Sequence, residues 1–506
     1  MGNTEIIIAI DQGTSATKAL AIDSTGAIVA RAAAPLAISY PGPGWVEQDP
    51  LAIWASMQAA AAACLDQVPA APVAALALCN QRESLLMWDR RTGEPIAPML
   101  SWQDGRTTEV VARRHTPEVA AWVRERSGLP LDPMFSAAKA CWLLDRHDPA
   151  RARTRSGRVC LGTIDTYLMN RLGAGAVTEA GNASRTQLLD VRRLVWDADL
   201  LSLFDVPLAG MPELVPSIGP RGDGAALHPR LAGTAVHAVL GDSHAALFGH
   251  GAFRSGDVKV TLGTGSSVMV LAPAPVAADS GICSTIAWDL GSLGSLGSVG
   301  SGPSWALEGN IRCAGATVQW LADVLQVTPD ELAQLAQQAN NHDDQAGQPV
   351  LVPAFGGLGA PWWDPHAVGL ISGLTLGTSR ADLMYAAIDS IAHQVADVVE
   401  AMDRCVDSIA RLRVDGGPTR NPHLRAVLAS YLGRPVLHLD EPQVSALGAA
   451  HMAGLSLGLW TLDILGNLPR PLLASMPDLP TARVRARRRA WADGLRRSRL
   501  PGEPWR

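Results

Sequence analysis

The stretch from Ile6 to Arg31 constrains the fold more than any other, because it reads as three short strands joined by two turns. It opens with five apolar, mostly β-branched residues, a pattern typical of a buried strand. Polar, turn-forming residues follow, and a second extended segment then runs from Lys18 to Ile22. The residues from Asp23 to Gly26 read as a hairpin turn, with glycine where a positive φ is expected. We therefore predict a three-stranded antiparallel meander.

The first turn of this meander, from Asp11 to Ser15, has the residue types of an anion site. Gly13 allows backbone N–H groups to approach an anion, and Thr14 and Ser15 supply hydroxyl donors. Lys18 adds a cation nearby, and Asp11 at the strand end suits a divalent metal held through water. The residues alone leave two interpretations open, a phosphate-and-magnesium corner or an ordinary hairpin with a polar turn.

The same pattern returns about 250 residues later in the chain. Val258 to Leu262 reads as a strand, Gly263 to Ser267 as a small polar turn, and Val268 to Leu271 as a second strand. Two such corners predict two related domains that face each other, with a boundary between Gly249 and Gly256. We expect one domain over residues 1–250 and the other over residues 251–506.

Three further positions carry candidate chemistry. Arg82 and Glu83 lie between two predicted strands, where they suit hydrogen bonds to the hydroxyls of a polyol, although a surface ion pair is the simpler alternative. Asp242 stands where a strand ends and a helix begins, so it either faces a cleft or caps the helix. The glycine turn that starts at Asp415 opens a helix, and its N–H groups suit phosphate or adenosine.

Other segments give expectations about secondary structure alone. Helices are predicted from Thr107 to Ser127, from Leu161 onward and around Trp196. The Gly/Ser-rich run from Gly291 to Gly302 predicts a hairpin loop. The arginine-rich stretch from Arg483 to Arg499 reads as a solvated helix face without a nucleic-acid role.

The composition excludes several classes of protein. A hydrophobic content of 47% with 18% charged residues is typical of a globular protein, and a net charge of −6 argues against nucleic acid as a partner. The seven cysteines are scattered without a C-x-x-C pair, which argues against zinc and disulfides and favours reduced thiols in a cytoplasm. No signal peptide or run of about 20 apolar residues is evident, so we expect a cytoplasmic protein with no membrane partner.

The order of motifs along the chain is similar to that of the FGGY carbohydrate kinases, and within them to the glycerol kinases. The resemblance covers roughly residues 5 to 460, and the ordered set is far more specific than any single motif. It rests on DQGTSATK, PGWVEQDP, NQRES, DPMFSAAK, GTIDTYLM, NASRT, GDSHAALFG, GTGSS, ALEG, AGATVQWL, PAFGGLGAPWWDP, VDGGPTRN and SALGAAHMAGL.

This resemblance implies an α/β fold of two ribonuclease-H-like domains, as in actin- and hexokinase-like ATPases, around a central cleft. It implies an ATP-dependent kinase that uses Mg²⁺ and phosphorylates a small polyol or sugar. The habit of the family favours a homodimer or a homotetramer.

The resemblance also assigns roles by matching positions. Asp242 looks like the catalytic base, and Asp11 with Asp242 looks like the metal site. The positions that resemble nucleotide contacts are Thr14, Ser15, Lys18, Thr264, Gly315, Gln319, Gly417 and Asn421. The positions that resemble substrate contacts are Arg82, Glu83, Trp102, Met134, Asp242, Ser243 and Ser267.

Three positions depart from the glycerol-kinase pattern. Met134 stands in place of tyrosine, Ser243 in place of glutamine and Ser267 in place of phenylalanine. These changes imply a larger pocket with different hydrogen bonding, which favours a polyol or ketose of four or five carbons over glycerol. One alternative is an actin- or chaperone-like ATPase, which would not need Arg82, Glu83, Trp102 and Asp242 together. The other is a sugar-binding regulator without catalysis, which would tolerate the loss of Asp242.

Overall fold

The computed structural model describes residues 5–69, 71–291, 302–328, 331–332, 334–335, 338 and 348–500. These residues form two large mixed sheets, of six and seven strands, together with helices and smaller sheets. Within the described ranges, no helix combines the length and the apolar character needed to cross a bilayer.

The first half of the chain supplies every strand of the six-stranded sheet. The strands in this half of the chain, in all of its sheets, are β1 (Ile6–Gln12), β2 (Ala16–Asp23), β3 (Ile28–Pro35), β4 (Glu47–Gln48), β5 (Val73–Asn80), β6 (Leu85–Asp89), β7 (Met99–Leu100), β8 (Val159–Thr163), β9 (Val177–Glu179), β10 (Leu189–Asp190), β11 (Val195–Trp196), β12 (Glu213–Val215), β13 (Ile218–Arg221) and β14 (Val236–Gly241). Its helices are α1 (Pro50–Leu65), α2 (Thr108–Ala112), α3 (Pro117–Ser127), α4 (Ser136–His147), α5 (Ala152–Arg155), α6 (Ile164–Arg171), α7 (Ala180–Ser184), α8 (Ala198–Leu203) and α9 (Asp242–Gly249).

The second half supplies every strand of the seven-stranded sheet. The strands in this half of the chain, in all of its sheets, are β15 (Val258–Leu262), β16 (Ser266–Ala272), β17 (Cys283–Asp289), β18 (Pro303–Ile311), β19 (Val350–Val352), β20 (Leu370–Ser372), β21 (Leu412–Asp415), β22 (Val436–Leu439) and β23 (Leu472–Ser475). Its helices are α10 (Gly315–Val324), α11 (Arg380–Asp403), α12 (Pro422–Leu432), α13 (Val444–Ser456), α14 (Leu462–Asn467) and α15 (Thr481–Ser498).

The two large sheets repeat one topology. The first has the order β13-β14-β5-β1-β2-β3, and the second has the order β23-β22-β21-β15-β16-β18-β17. In each, a hairpin (β1–β2 or β15–β16) lies antiparallel, and its first strand runs parallel to a later strand, β5 or β21. The predicted meander and its recurrence are therefore both present, and the ribonuclease-H-like fold class is confirmed.

Helix α13 links the two halves of the chain. It comes from the second half but packs on the first sheet and on α9. A Cβ atom at Gly448 would lie 1.8 Å from the carbonyl oxygen of Ala245, so only glycine permits this approach. On the opposite face of the first sheet, α1 packs through Ile53, Trp54 and Met57. Asp49 caps α1 and Pro50 is its first residue, as their order in the sequence suggests.

Several local predictions were wrong. The helix expected from Thr107 to Ser127 is broken into α2 and α3, since Pro117 starts a new helix that Thr116 caps. The segment from Leu161 to Thr163 completes strand β8 before α6 begins. Trp196 lies in strand β11, where it pairs with Leu189, because tertiary pairing overrides the local helical pattern.

The arginine-rich helix α15 is not solvated on all sides. Trp491 and Leu495 are buried with Val352 in a small cluster under α15, and Arg488 bonds to Asp397 and Glu400 of α11. The Gly/Ser-rich loop lies almost entirely outside the described residues, but the strands on either side of it, β17 and β18, pair antiparallel as expected of a hairpin.

Candidate active site

The parallel strands of the first sheet bring two carboxylates to one edge. Asp11 pairs in register with Cys79 of β5, and Gly241 of β14 pairs with Asn80 of the same strand. Asp242 follows Gly241 directly, so it leaves the sheet beside the end of β1 that carries Asp11. Ligands of open α/β sheets bind beyond the carboxyl ends of parallel strands, which places the candidate site at this edge.

Asp242 is the first residue of α9, and Gly241 rather than Asp242 is the N-cap. Its Oδ1 accepts a hydrogen bond from the backbone N–H of Ser243 at 2.6 Å and one from Nε of Arg82 at 3.1 Å. Its side chain is 39% exposed, and Oδ2 has no hydrogen-bond partner among the described residues. The geometry therefore favours the cleft-facing carboxylate over the helix cap.

Arg82 is buried and does not form a surface ion pair with Glu83. Its Nη1 and Nη2 donate to the two carboxylate oxygens of Glu308, at 2.9 and 2.7 Å, in a bidentate bridge. Together with the bond to Asp242, this fixes the plane of the guanidinium. The bridge joins the turn between β5 and β6 to β18, and so joins the two halves of the chain.

Glu83 is held in an uncommon backbone conformation. Its φ is +62°, in the left-handed region that non-glycine residues rarely adopt. Its carbonyl oxygen accepts a hydrogen bond from Ser136 at 2.9 Å, and its carboxylate accepts one from Nε of Arg185 at 2.6 Å. Such strain persists where surrounding contacts enforce it, as they commonly do at functional sites.

Glu308, Arg185 and Lys259 are buried members of this cluster that the sequence reasoning did not identify. Arg185 contacts a carboxylate oxygen of Glu308 at 2.9 Å, on the same oxygen that Nη1 of Arg82 approaches. Burial alone would raise the pKa of Glu308, but Arg185 and Arg82 reverse that effect and hold the pKa well below its ordinary value. Arg185 lies in the NASRT motif and Glu308 in the ALEG motif, so the resemblance to the family could have pointed to both residues.

The first polar turn is held by side chains from three other segments. Trp102 donates its indole N–H to the hydroxyl of Thr14 at 3.1 Å. The side-chain amide of Gln48 donates to the carbonyl oxygen of Thr14 at 2.8 Å and accepts from Gln81 at 2.9 Å. Two residues assigned to different ligands by the resemblance, Trp102 and Thr14, are therefore direct neighbours.

Asp11 lies buried at the base of this turn. Burial raises its pKa to about 6, against the attraction of Lys18 and with a further increase from the charge of Asp242. Lys18 is its register partner on β2, while Ser15 is exposed at the tip of the turn. A divalent cation between Asp11 and Asp242 would compensate both charges.

The carboxylate oxygens of Asp11 and Asp242 are donors of the kind that Mg²⁺ accepts. The described residues contain no cluster of three or more His, Cys, Asp or Glu side chains suited to a metal. Mg²⁺ binds through one or two carboxylates and takes its other ligands from water and phosphate. The pair Asp11 and Asp242 fits that requirement.

Four of the predicted nucleotide positions line one cavity of about 510 Å³. They are Gly315, Gln319, Gly417 and Asn421, and the apolar part of the wall includes Ile388. Its volume and mixed lining are those of a small-molecule site. No heavy atom lies within 4 Å of a Cβ built at Gly417, so this glycine leaves space that a ligand can use.

Thr264 positions the helix beside that cavity. Its carbonyl oxygen accepts hydrogen bonds from the N–H groups of Ala314 and Ala316, at 2.9 and 3.1 Å, where α10 begins. Thr264 itself is exposed in the turn between β15 and β16. The second corner and the helix that carries Gln319 are thus one connected unit.

The three departing positions differ in how they join the cluster. Ser267 donates to Glu308 at 2.8 Å and so belongs to it directly. Met134 packs with Phe135 and Trp363, and its carbonyl oxygen accepts from the buried Lys139 at 2.5 Å. Ser243 is half-buried next to Asp242. Ser243 bonds to the carboxylate of Asp242 through its backbone N–H, whereas the side chain of Ser267 is connected to that carboxylate through Glu308 and Arg82.

Comparison with known proteins decides the class of this site. Models of the N-terminal and C-terminal domains of the FGGY family of carbohydrate kinases match residues 6–249 and 258–457. The chain belongs to the FGGY family of carbohydrate kinases. It is therefore an ATP-dependent phosphotransferase that acts on a hydroxyl of a small polyol or sugar, and the kinase fold expected from the sequence is confirmed.

Individual members of the family show how broad the similarity is. An apulose kinase of Pectobacterium atrosepticum is 38% identical, over 99% of both chains. A glycerol kinase of Citrifermentans bemidjiense is 40% identical, over 91% of this chain and 93% of that protein. The crystal structure of Plasmodium falciparum glycerol kinase with ADP superposes with a TM-score of 0.88 at 26% identity, over 99% of both chains.

Proposed function

We propose that this FGGY kinase phosphorylates a polyol or ketose of four or five carbons, with glycerol as the second candidate. The observation that carries the proposal is the hydrogen-bonded chain from Asp242 through Arg82 and Glu308 to Ser267. It extends the polar surface of the site to a serine where the glycerol-kinase pattern has an aromatic ring. The similarity to both a glycerol kinase and an apulose kinase is compatible with either substrate size.

The three departing residues support the larger substrate. Met134, Ser243 and Ser267 replace a tyrosine, a glutamine and a phenylalanine of the glycerol-kinase pattern. Two aromatic rings and an amide give way to smaller or more flexible side chains, which is expected to enlarge the pocket and to change its hydrogen bonding. A mismatch of this kind is worth roughly 1–3 kcal/mol in discrimination between substrates.

Asp242 is the proposed catalytic base. Its Oδ1 is fixed by Arg82 and by the backbone of Ser243, which leaves Oδ2 to orient the substrate hydroxyl and accept its proton. Arg82 uses three of its five N–H groups on Asp242 and Glu308, so two remain for substrate hydroxyls. Glu83 and Trp102 complete the proposed polyol contacts.

Asp11 and Asp242 would hold Mg²⁺, and the nucleotide would occupy the cavity at Gly315 and Gly417. The metal, when bound, supplies positive charge that offsets the phosphate oxygens during transfer. Thr14, Ser15 and Lys18 of the first corner are the proposed phosphate contacts. Thr264, Gln319 and Asn421 are proposed to act with the glycines on the nucleotide side.

The remaining assignments rest on composition and on the habit of the family. Residues 1–250 are proposed as the substrate-side domain and residues 251–506 as the nucleotide-side domain, which is supported by the separation of the two sheets at this point of the chain. We further propose a cytoplasmic homodimer or homotetramer with neither nucleic acid nor membrane as a partner.

A substrate panel tests the proposal. ADP formation is measured with glycerol, erythritol, threitol, xylulose and ribulose, and we expect the highest kcat/KM on a substrate of four or five carbons. The triple variant Met134→Tyr, Ser243→Gln, Ser267→Phe restores the glycerol-kinase residues and should shift the preference about tenfold toward glycerol.

The same panel separates the other classes. A wild-type kcat/KM on glycerol above that on every other substrate contradicts the larger-substrate proposal. ADP formation that no substrate stimulates indicates an actin- or chaperone-like ATPase, and binding of a substrate without turnover indicates a regulator.

A further inference from the structure

Lys259 is a buried cation that the proposed mechanism does not use. It is one of three lysines in a chain that otherwise uses arginine, and it lies fully buried on β15. Its Nζ donates to the hydroxyl of Ser267 at 3.3 Å, and no carboxylate of the described residues lies within salt-bridge distance.

The charged surroundings of Lys259 keep it protonated near neutrality. Burial lowers its pKa to about 8, while Asp415, Glu308 and Asp242 oppose that effect and Arg82 adds to it. These groups come from β21, β18, α9 and the turn after β5. At pH 7 the ammonium form, which donates hydrogen bonds but accepts none, therefore predominates.

As a consequence, the hydroxyl of Ser267 has only one hydrogen-bonding position left. A hydroxyl has one hydrogen to donate and two lone pairs to accept with. The ionised Glu308 takes the hydrogen, at 2.8 Å, and the ammonium of Lys259 takes one lone pair. One lone pair remains, so Ser267 can present only an acceptor to a further partner.

That acceptor belongs to the open part of the cluster. Glu308, Lys259 and Arg82 are buried, whereas Ser267 is partly exposed and Asp242 has a 39% exposed side chain. Within this hydrogen-bonded chain, the more exposed groups are therefore the carboxylate of Asp242 and the hydroxyl of Ser267, which Arg82 and Glu308 join. We take both as contacts of one substrate.

We propose that the hydroxyl oxygen of Ser267, which Lys259 and Glu308 hold as a hydrogen-bond acceptor, contacts one polar group of the substrate. At that point of the substrate, Ser267 selects a hydroxyl over a carbonyl oxygen. Ser267 is then a specificity-determining contact and Lys259 its positioning residue. The inference rests on the proposed function and narrows its substrate class to polyols over the corresponding ketoses. A carbonyl oxygen has no hydrogen to offer and would leave two acceptors facing each other without water.

Matched polyol and ketose pairs test this directly. The full-length enzyme is assayed with glycerol against dihydroxyacetone and with erythritol against erythrulose, and the ratio of kcat/KM within each pair is measured. We expect the wild type to favour the polyol by about tenfold or more. A ratio near one, or a preference for the ketose, overturns the proposal.

Two variants locate the cause of the preference. Ser267→Ala removes the accepting oxygen and should lower the ratio about tenfold, mainly through a higher KM for the polyol. Lys259→Met keeps the bond from Ser267 to Glu308 but removes the ammonium that positions the serine, so it should lower the ratio by a smaller factor. Ser266→Ala is the matched control, because the neighbouring buried hydroxyl has no hydrogen-bond partner and should leave the ratio unchanged.

The outcomes remain distinguishable from failure of the proposed function. If Ser267→Ala or a folded Lys259→Met lowers both members of a pair by the same factor, the serine is structural and the inference is wrong. Should Lys259→Met fail to fold, Ser267→Ala decides alone. Comparison between the pairs gives the chain-length preference, and comparison within each pair gives the preference for a hydroxyl. The proposed function itself is contradicted only if neither these four compounds nor the five-carbon substrates of the panel are turned over.

Discussion

The two hairpin corners of this kinase share one topology but are built by different means. In the first, between β1 and β2, side chains add to the backbone bond from the N–H of Gly13 to the carbonyl oxygen of Ala16: Trp102 and Gln48 bond to Thr14. In the second, between β15 and β16, the backbone holds it. The N–H of Gly263 bonds to the carbonyl oxygen of Gly265 at 2.8 Å, and the N–H of Gly315 bonds to the carbonyl oxygen of Gly263 at 2.9 Å.

The charges of the two corners are also arranged in opposite ways. The first corner has a carboxylate, Asp11, on its leading strand and the cation Lys18 on the returning strand. The second has the cation Lys259 on its leading strand and the hydroxyl of Ser267 on the returning strand. A carboxylate attracts a metal ion, whereas a buried ammonium fixes the direction of a hydrogen bond. Duplicated folds can therefore supply distinct chemistry from corresponding strands.

The largest difference between the corners is expected at Asp11. Asp11→Asn keeps the shape of the side chain but removes the charge proposed to attract Mg²⁺, so kcat should fall roughly 100- to 10,000-fold. The Mg²⁺ concentration for half-maximal activity should rise in the same assay. The control is Asp23→Asn at the other end of the hairpin, where the carboxylate only holds the turn at Thr25. Activity of Asp11→Asn within twofold of wild type would remove the metal from the first corner.

A smaller effect, on nucleotide binding alone, is expected from a change in the cavity beside the second corner. Gly417→Val places a side chain where no heavy atom lies within 4 Å of the new Cβ, so it should fill the cavity without straining the backbone. We expect the KM for ATP to rise roughly 10- to 100-fold while the KM for the polyol changes little. Gly356→Val, at an equally open and exposed glycine, is the matched control. An unchanged KM for ATP would show that the cavity is not the nucleotide site.

The smallest effect on activity is expected from the hydrogen bond between Trp102, a proposed substrate contact, and Thr14 of the first corner. Trp102→Phe and Thr14→Val each remove one partner of the indole–hydroxyl bond, and each should lower kcat/KM roughly 2- to 10-fold. Because both changes break the same bond, the double variant should be no worse than the poorer single variant. Effects that multiply in the double variant would mean that Trp102 and Thr14 act independently.

Local patterns were enough to predict most of the framework. The alternation of apolar runs and glycine turns indicated both hairpins, and Ser379 and Asp49 mark the starts of α11 and α1 with their capping bonds. Asp242 could be placed at the end of a strand because an apolar run ends just before it and a helical pattern begins just after it. These features depend on residues close together in the chain.

The charge cluster could not be predicted from the residues alone. Arg185 lies 102 residues from Glu83, and Glu308 lies 226 residues from Arg82, so nothing local links either pair. Lys259 also escaped notice, since a single lysine in an apolar strand gives no sign of what it faces. Only the packing of β18 against the turn after β5 brings these groups together.

The buried cluster also explains why Arg82 and Glu83 are adjacent without pairing. The left-handed conformation of Glu83 turns successive side chains toward different partners, Glu308 and Arg185. A surface ion pair would need no such strain. In the sequence the two residues look like an ordinary charged turn. In the fold each of them bonds to a different distant residue.

We infer that Asp242 activates the substrate hydroxyl in the cleft between the two corners. The most direct test compares Asp242→Asn with wild type for both polyol-dependent ADP formation and nucleotide binding. We predict a loss in kcat of about 1,000-fold or more, with the dissociation constant for ADP changed by no more than about threefold. A kcat within about tenfold of wild type would contradict the account, because an amide cannot accept the proton that the mechanism assigns to this carboxylate.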